Sequence, residues 1–361
     1  MTILIFIIML VVLIVAHEFG HFIVAKLSGM KVPEFGLGFP PKLWGKKIGD
    51  TEYTLNALPF GGFVKIEGED AHESSNDPSA FSNRPKVLQA ATLVAGPGAN
   101  FILAFLLISV SFMVGVPSAV ETGDTRVVDP RVVIADVVAG SPAEQAGILP
   151  GDRVVSITTN GNTVPVAKPE DVSGGIARAT GPVLLDIERE GELRSIEATP
   201  QPGLIAEEPE RRALGIASVL VGTLRLNPIE AVGAGFIETI ERTKAVFAGI
   251  VDLIGSAFTL SADVKNIAGP VGIATLTGDA ARFGFGSLLS FAAIISINLG
   301  ILNLLPFPAL DGGRLAFLAI ETVIRRPIPL GIANAANAIG FALLIMLMIA
   351  VTFQDIARLV S

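Results

Sequence analysis

Residues Thr2–Leu27 read TILIFIIMLVVLIVAHEFGHFIVAKL, an apolar run interrupted only by His17, Glu18, His21 and Lys26. A helix needs about 20 apolar residues to cross a bilayer, and this run is long enough. On a helix, His17 and His21 stand one turn apart on the same face, where two imidazoles can reach a single zinc ion. Glu18 beside them has the position of a base that takes a proton from water. Ionisable groups are costly inside a span, so such a cluster reads as functional. The run therefore predicts a membrane-embedded metal site, with zinc hydrolase chemistry as its expected use.

The whole chain fits that reading. It has 361 residues, 51% hydrophobic and 17% charged, with a mean hydropathy of +0.63. This composition belongs to an integral membrane protein carrying some soluble mass. Cysteine is absent, which excludes disulfides and thiolate ligands and leaves histidine and carboxylate to hold Zn2+. A net charge of −8 argues against a nucleic-acid partner. Residues 2–16 lack the basic n-region of a signal peptide, and no A-x-A-like cleavage site follows, so a retained first span is expected.

Working outward, three more stretches have the length of a span: about Val87–Val116, Phe283–Leu310 and Pro329–Phe353. The loop at 29–86 carries Lys31, Lys42, Lys46, Lys47, Lys65, Arg84 and Lys86, and Arg314, Arg325 and Arg326 follow the third span. Positive residues mark cytoplasmic loops, so residues 117–282 are expected outside the cytoplasm. Residues 246–262 are apolar enough to suggest a fifth span. With 229–245, however, they repeat charges at Glu230, Glu238, Glu241, Arg242, Lys244 and Asp252, the pattern of an amphipathic helix at a membrane surface. Depth decides for the latter. His17 lies about 22 Å along a helix from Thr2 at 1.5 Å per residue. It meets the far end of the third span only if spans one and three run the same way. An extra crossing would reverse one of them.

Residues 131–158 alternate strand and turn signals. A β-rich run over Val132–Val138 ends at Gly140, and a short helix follows over Pro142–Ala146. A turn at Pro150-Gly151-Asp152 leads to a strand through Ile157. More strand-like runs stand at Val183–Glu190 and Leu193–Thr199. This series resembles the PDZ domains of bacterial extracytoplasmic proteases. By that resemblance, Leu214-Gly215-Ile216 forms the edge that captures an extended peptide by β-augmentation. A small β-rich domain that binds nothing is the alternative.

Two histidines do not complete a catalytic zinc site, which uses three protein ligands and an open position. His72 sits among Glu73, Ser74, Ser75 and Asn76 and reads as solvated. Asp311 ends the segment Asn303-Leu304-Leu305-Pro306-Phe307-Pro308-Ala309-Leu310-Asp311 directly after an uncharged span. Its two prolines deny the helix amide donors. Irregular backbone at membrane depth is tolerated where it lines a cavity or is buried in protein. Taken alone, Asp311 reads first as an Asp-Gly turn at a helix end, at the membrane interface.

Together these segments resemble the site-2 protease family of intramembrane zinc metalloproteases, in its PDZ-bearing bacterial type. HEFGH matches the family's first motif, and the segment from Asn303 to Gly312 matches its second. Pro59-Phe60-Gly61-Gly62-Phe63-Val64-Lys65, Gly96-Pro97-Gly98-Ala99-Asn100 and Gly269-Pro270-Val271-Gly272-Ile273 match further family segments in order. The resemblance implies that His17, His21 and Asp311 bind zinc, that Glu18 is the general base, and that Asn303 contacts the substrate backbone. It also implies that Gly36 and Gly38, in a β-hairpin dipping toward the membrane, help pair with an unwound substrate. For Asn303 a helix–helix hydrogen bond is the structural alternative.

The expected architecture is thus a polytopic α-helical membrane protein with about four transmembrane helices, at 1–28, 87–116, 283–312 and 329–353. A membrane-associated β-hairpin loop lies at 29–86, an inserted extracytoplasmic PDZ domain at 127–220 and amphipathic surface helices at 228–265. The expected function is an intramembrane zinc endopeptidase of the bacterial inner membrane, with the PDZ region as a size filter. Its implied partners are membrane lipid and single-span substrates such as anti-sigma factors or signal-peptide remnants, with a peptide as possible ligand of the PDZ groove. The rivals are an inactive zinc-binding scaffold presenting a PDZ domain, which has no use for Glu18, and a metal transporter, which needs several polar spans.

Overall fold

The computed structural model describes residues 1–69, 76–119, 127–189, 191–204, 208, 210–258 and 268–360. His72 lies outside the described residues. The chain divides into two compact units, Met1–Ser111 with Pro228–Ser361, and Phe112–Asn227.

Among the described residues of the first unit, four helices are long and apolar enough to cross a membrane. They are α1 (Thr2–Leu27), α2 (Lys86–Val114), α7 (Phe285–Leu304) and α9 (Leu330–Val360). Helix α1 stops at a sequence-encoded signal. Gly29 takes φ +68, its amide bonds to Lys26 O and the Met30 amide to Ala25 O, which satisfies the last carbonyls of the helix. The third span ends earlier than its apolar run. Leu305 precedes Pro306 and is therefore pushed to extended backbone, so α7 closes at Leu304.

Two helices of this unit were not anticipated, α6 (Pro270–Arg282) and α8 (Asp311–Ile324). Each is short and carries charges, so neither stood out as an apolar run. Helix α5 (Pro228–Phe258) is one continuous helix that does not qualify as a span. It carries the pairs Arg242–Glu238 at 2.7 Å and Lys244–Glu241 at 2.8 Å. Helix α6 is fastened to α9 by Asp355, whose buried carboxylate accepts the amides of Gly269 at 3.2 Å and Gly272 at 2.8 Å.

The loop after α1 holds strands β1 (Glu34–Ile48) and β2 (Thr51–Lys65), and it is more than the expected hairpin. Pro40-Pro41 breaks β1 and Gly61, at φ +109, breaks β2, so each strand folds back on itself. Lys42–Ile48 pairs with Thr51–Asn56 as a hairpin. Glu34–Leu37 lies between Glu52–Leu55 on one side and Gly62–Lys65 on the other. The segment Gly62–Lys65 therefore ends the sheet, beside α1. A side chain at Gly61 would press on Ile14, and one at Gly62 on Gly36 O. Phe35 and Tyr53 set their rings against Phe22 of α1, tilted and edge-on, with centroids 5.1 and 6.0 Å away.

The second unit is β-rich. It comprises β3 (Val116–Ala119), β4 (Val127–Val137), α3 (Pro142–Gln145), β5 (Arg153–Thr159), β6 (Asn162–Pro165), α4 (Pro169–Ala177), β7 (Val183–Arg189), β8 (Glu192–Ala198) and β9 (Ile216–Leu224). The sheet order is β3-β9-β4-β5-β7-β8, with β6 on β5. Val132, Ile134, Val154, Ile157, Leu185, Ile187 and Leu214 meet in its core. Asp186 accepts from Ser156 and Ser195, both at 2.6 Å, and these donors hold its carboxyl below the usual carboxylate range. That stabilisation is present at neutral pH and fades as the carboxyl protonates in acid.

The predicted turn at Pro150-Gly151-Asp152 is tied down by a buried ion pair. Asp152 is 1% exposed and takes two 2.7 Å bonds from Arg189 while accepting the Leu149 amide at 2.9 Å. Removing one partner of a buried pair strands the other charge. Arg189→Ala is expected to destabilise this unit by about 3 kcal/mol. Hydrogen exchange at β5 and β7 in the full-length protein measures the loss.

Candidate metal centre

Helix α1 buries a single stripe, Met9, Leu13, His17, His21 and Ala25. Residues four apart share a helix face, so both imidazoles point into the bundle, whereas Phe19 and Ile23 face outward. The two Nε2 atoms stand 3.2 Å apart.

The third group arrives from a different element. After α7 ends, Pro306-Phe307-Pro308 carries the chain through turns, the Phe307 amide reaching Leu305 O at 2.6 Å and the Leu310 amide reaching Phe307 O at 3.2 Å; Ala309 takes φ +76, and Asp311 opens α8. Two glycines let α8 start so close to this turn. A side chain on Gly312 would collide with the backbone of Leu304 and Leu305, and one on Gly313 with Phe307 O. Asp311 Oδ2 is thereby placed 3.0 Å from His17 Nε2 and 3.3 Å from His21 Nε2. It is buried, and no donor meets it at hydrogen-bonding geometry.

The three atoms make a nearly equilateral triangle. Zinc bonds of about 2.0–2.1 Å at tetrahedral angles place ligand atoms about 3.3 Å apart. The observed separations of 3.0, 3.2 and 3.3 Å fit that requirement. Among the described residues, His17, His21 and Asp311 are the cluster able to hold a metal ion.

Glu18 faces a different neighbour from the histidines. Its Oε2 accepts the backbone amide of Val64 at 3.1 Å, an N–H that the end segment of the sheet turns away from Phe35, its pairing partner. Gly36 and Gly38, expected to meet substrate, lie elsewhere. Gly36 has sheet neighbours on both sides, and Gly38, at φ +78, sits against the carbonyls of Asn56 and Leu58. The end segment of the sheet, beside Glu18, is Gly62–Lys65 instead. Asn303 occupies the last turn of α7, half buried. In the second unit, Leu214 is buried, Gly215 takes φ +78, and Ile216 begins β9. A cleft lined by Val172 and Ile176 of α4 and by Leu214 and Ile216 lies beside them.

Two residues were given no role by the sequence reading. The Thr92 carbonyl lies 2.7 Å from His21 Nδ1, and the Asn100 side-chain nitrogen lies 3.2 Å from His17 Nδ1. Both belong to α2, with Gly96 between them. The signal was available, because Thr92, Gly96 and Asn100 recur every four residues on one face of an apolar span. A backbone carbonyl, however, leaves no trace in residue type.

Two imidazoles, a carboxylate at zinc-ligand spacing and a second carboxylate alongside form the donor set of a metallohydrolase. The model of peptidase family M50 matches residues 5–347. The chain belongs to this family. It is 38% identical over 345 residues to a Clostridium perfringens protein provisionally named a zinc metalloprotease, covering 95% of each chain. Zinc metalloprotease RasP of Geobacillus kaustophilus is 31% identical over 431 residues, covering 98% of this chain and 97% of its own. A Nostoc relative, also provisionally named a zinc metalloprotease, is 33% identical over 370 residues, covering 100% of this chain and 97% of its own. The site-2 protease resemblance drawn from the motifs is borne out at the level of the family, and with its four apolar helices this is a multi-pass membrane protein.

Close approach at Gly96 carries a testable cost. A Cβ there would strike the Nε2 atoms of both His21 and His17. Gly96→Ala should weaken metal retention by about 10-fold or more, the scale of overpacking in a tight site. Metal content per chain after graded chelation reads this out.

Proposed function

We propose that the protein is a zinc-dependent endopeptidase that cuts single-span membrane proteins within or near their spans. The observation that carries this reading is the triangle of His17 Nε2, His21 Nε2 and Asp311 Oδ2, with Glu18 beside it, whose histidines and glutamate stand on a helix apolar enough to cross a bilayer. Family membership and the zinc metalloprotease names of the relatives point the same way.

In this reading His17, His21 and Asp311 hold the metal. Zinc, when bound, supplies a Lewis acid that acidifies water and polarises a peptide carbonyl. Glu18 takes the water proton on its carboxylate and passes it to the leaving amine. The Val64 amide keeps that carboxylate in place. Asn303 offers its amide to the substrate backbone. Gly62–Lys65 presents a sheet edge to an extended peptide. This last role answers a physical need, because a helical span hides its carbonyls in its own hydrogen bonds, and cleavage requires an unwound stretch.

The finer assignments rest on the family resemblance and on charge distribution. The protein resides in the bacterial inner membrane among its lipids, with the β-rich unit on the extracytoplasmic side. That unit is a PDZ domain whose cleft at Leu214-Gly215-Ile216 takes peptide and, with α5, screens substrates by size. Substrates are membrane stubs left after an external domain is removed, such as anti-sigma factors or signal-peptide remnants.

Co-expression with a panel of truncated single-span proteins, read by fragment size, tests this. Cleavage is expected with the native chain and is expected to fall by about 10²–10⁴-fold in Glu18→Gln, the weight of a lost general base, with zinc content unchanged. Undiminished cleavage by Glu18→Gln overturns the assignment of the base. No cleavage of any member by the zinc-loaded native protein overturns the peptidase reading.

A further inference from the structure

Asn100 is fully buried in α2, and its side chain has one neighbour of consequence. Its amide nitrogen lies 3.2 Å from His17 Nδ1, while its oxygen, equally buried, has no partner. The backbone beneath it is firmly held, since Ser296 Oγ of α7 donates to Asn100 O at 2.8 Å. The side-chain amide is therefore the free variable at this point.

Donor and acceptor chemistry constrains that variable. A neutral imidazole carries one proton, and the nitrogen without it is the acceptor. With its proton on Nε2, His17 leaves Nδ1 as an acceptor, and the observed NH2 suits it. When Nε2 gives its lone pair to a metal, the proton resides on Nδ1, which becomes a donor. An NH2 facing an N–H is then repulsive, and the buried carbonyl is left without a partner, which is costly. Turning the amide end for end relieves both. A donor–donor contact plus a lone acceptor is exchanged for a single lone donor.

His21 shows the arrangement that His17 lacks. Its Nδ1 faces a carbonyl, Thr92 O, at 2.7 Å, which leaves Nε2 free to ligate. Thr92, Gly96 and Asn100 form one stripe of α2, and Gly96 clears the space both rings occupy. The stripe thus offers one fixed acceptor and one reversible one.

We infer that Asn100 is a positioning residue for the metal, whose side-chain oxygen accepts the Nδ1 proton of His17 once Nε2 ligates. The inference rests on the reading of His17, His21 and Asp311 as the zinc site. Outer partners of ligating histidines are worth about 10–100-fold in metal affinity, which sets the expected effect.

The test is zinc affinity of the full-length protein in detergent, by competition with a chelator, with no substrate present. Asn100→Asp keeps an acceptor and loses the donor. Asn100→Leu keeps the approximate shape and loses both. The expected result is affinity in Asn100→Asp at least equal to the parent, and a loss of about 10–100-fold in Asn100→Leu. Parental affinity in Asn100→Leu overturns the inference, because packing alone then suffices. So does a loss in Asn100→Asp as large as that in Asn100→Leu. If Asn100→Leu does not fold, Asn100→Asp decides by itself: parental affinity supports the role and weakened affinity overturns it. No zinc binding by the parent would remove the site reading together with the inference, which distinguishes that failure from the others.

Discussion

Two imidazoles and a carboxylate inside an apolar bundle must satisfy one another or a metal, and this constraint organises the membrane unit. Lipid offers the buried nitrogens and oxygens no partner, and unpaired polar groups in such surroundings are costly. The chain answers with close approaches that only glycine permits. Gly20 brings α1 onto Ala95 and Ala99 of α2, Gly96 leaves room for both rings, and Gly312 and Gly313 let α8 begin against the turn that delivers Asp311. A methyl group at any of these would push apart the elements that make the centre.

The second consequence concerns the base. Glu18 lies next to His17 in sequence, yet its carboxylate is held by Val64, 46 residues away in the sheet. The position of this carboxylate and the position of the sheet's end segment are therefore one variable. In the proposed reading, with Glu18 as the base and Gly62–Lys65 receiving an extended peptide, both tasks share one piece of backbone, which ties the packing of β2 on α1 to the chemistry.

Much of this was legible beforehand, and for local reasons. The spacing of His17 and His21 is a helix period, and the four spans announce themselves through uncharged length. Pro306 and Pro308 foretold the break that delivers Asp311. Helices α6 and α8 escaped notice because short amphipathic helices with internal charge look like loops at a membrane boundary. The sheet after α1 looked like a plain hairpin, because its extra fold-back depends on breaks at Pro40-Pro41 and Gly61 that read as ordinary turns. For the same reason Gly36 and Gly38 looked exposed, although one is flanked by strands on both sides and the other is pressed against two carbonyls.

Sequence by itself determined which groups are available: two imidazoles one turn apart, a neighbouring carboxylate, an aspartate beyond a proline-broken span, and no thiol. Those are matters of residue type and period, which are local. Only the tertiary structure decided that Asp311 reaches both rings, that α2 supplies Thr92 O and Asn100 behind them, and that Val64 holds Glu18. Each of these joins residues more than 40 positions apart, and two of them use backbone atoms common to every residue type. Such contacts are set by how closely helices and strands can approach, and no one-dimensional pattern carries that distance.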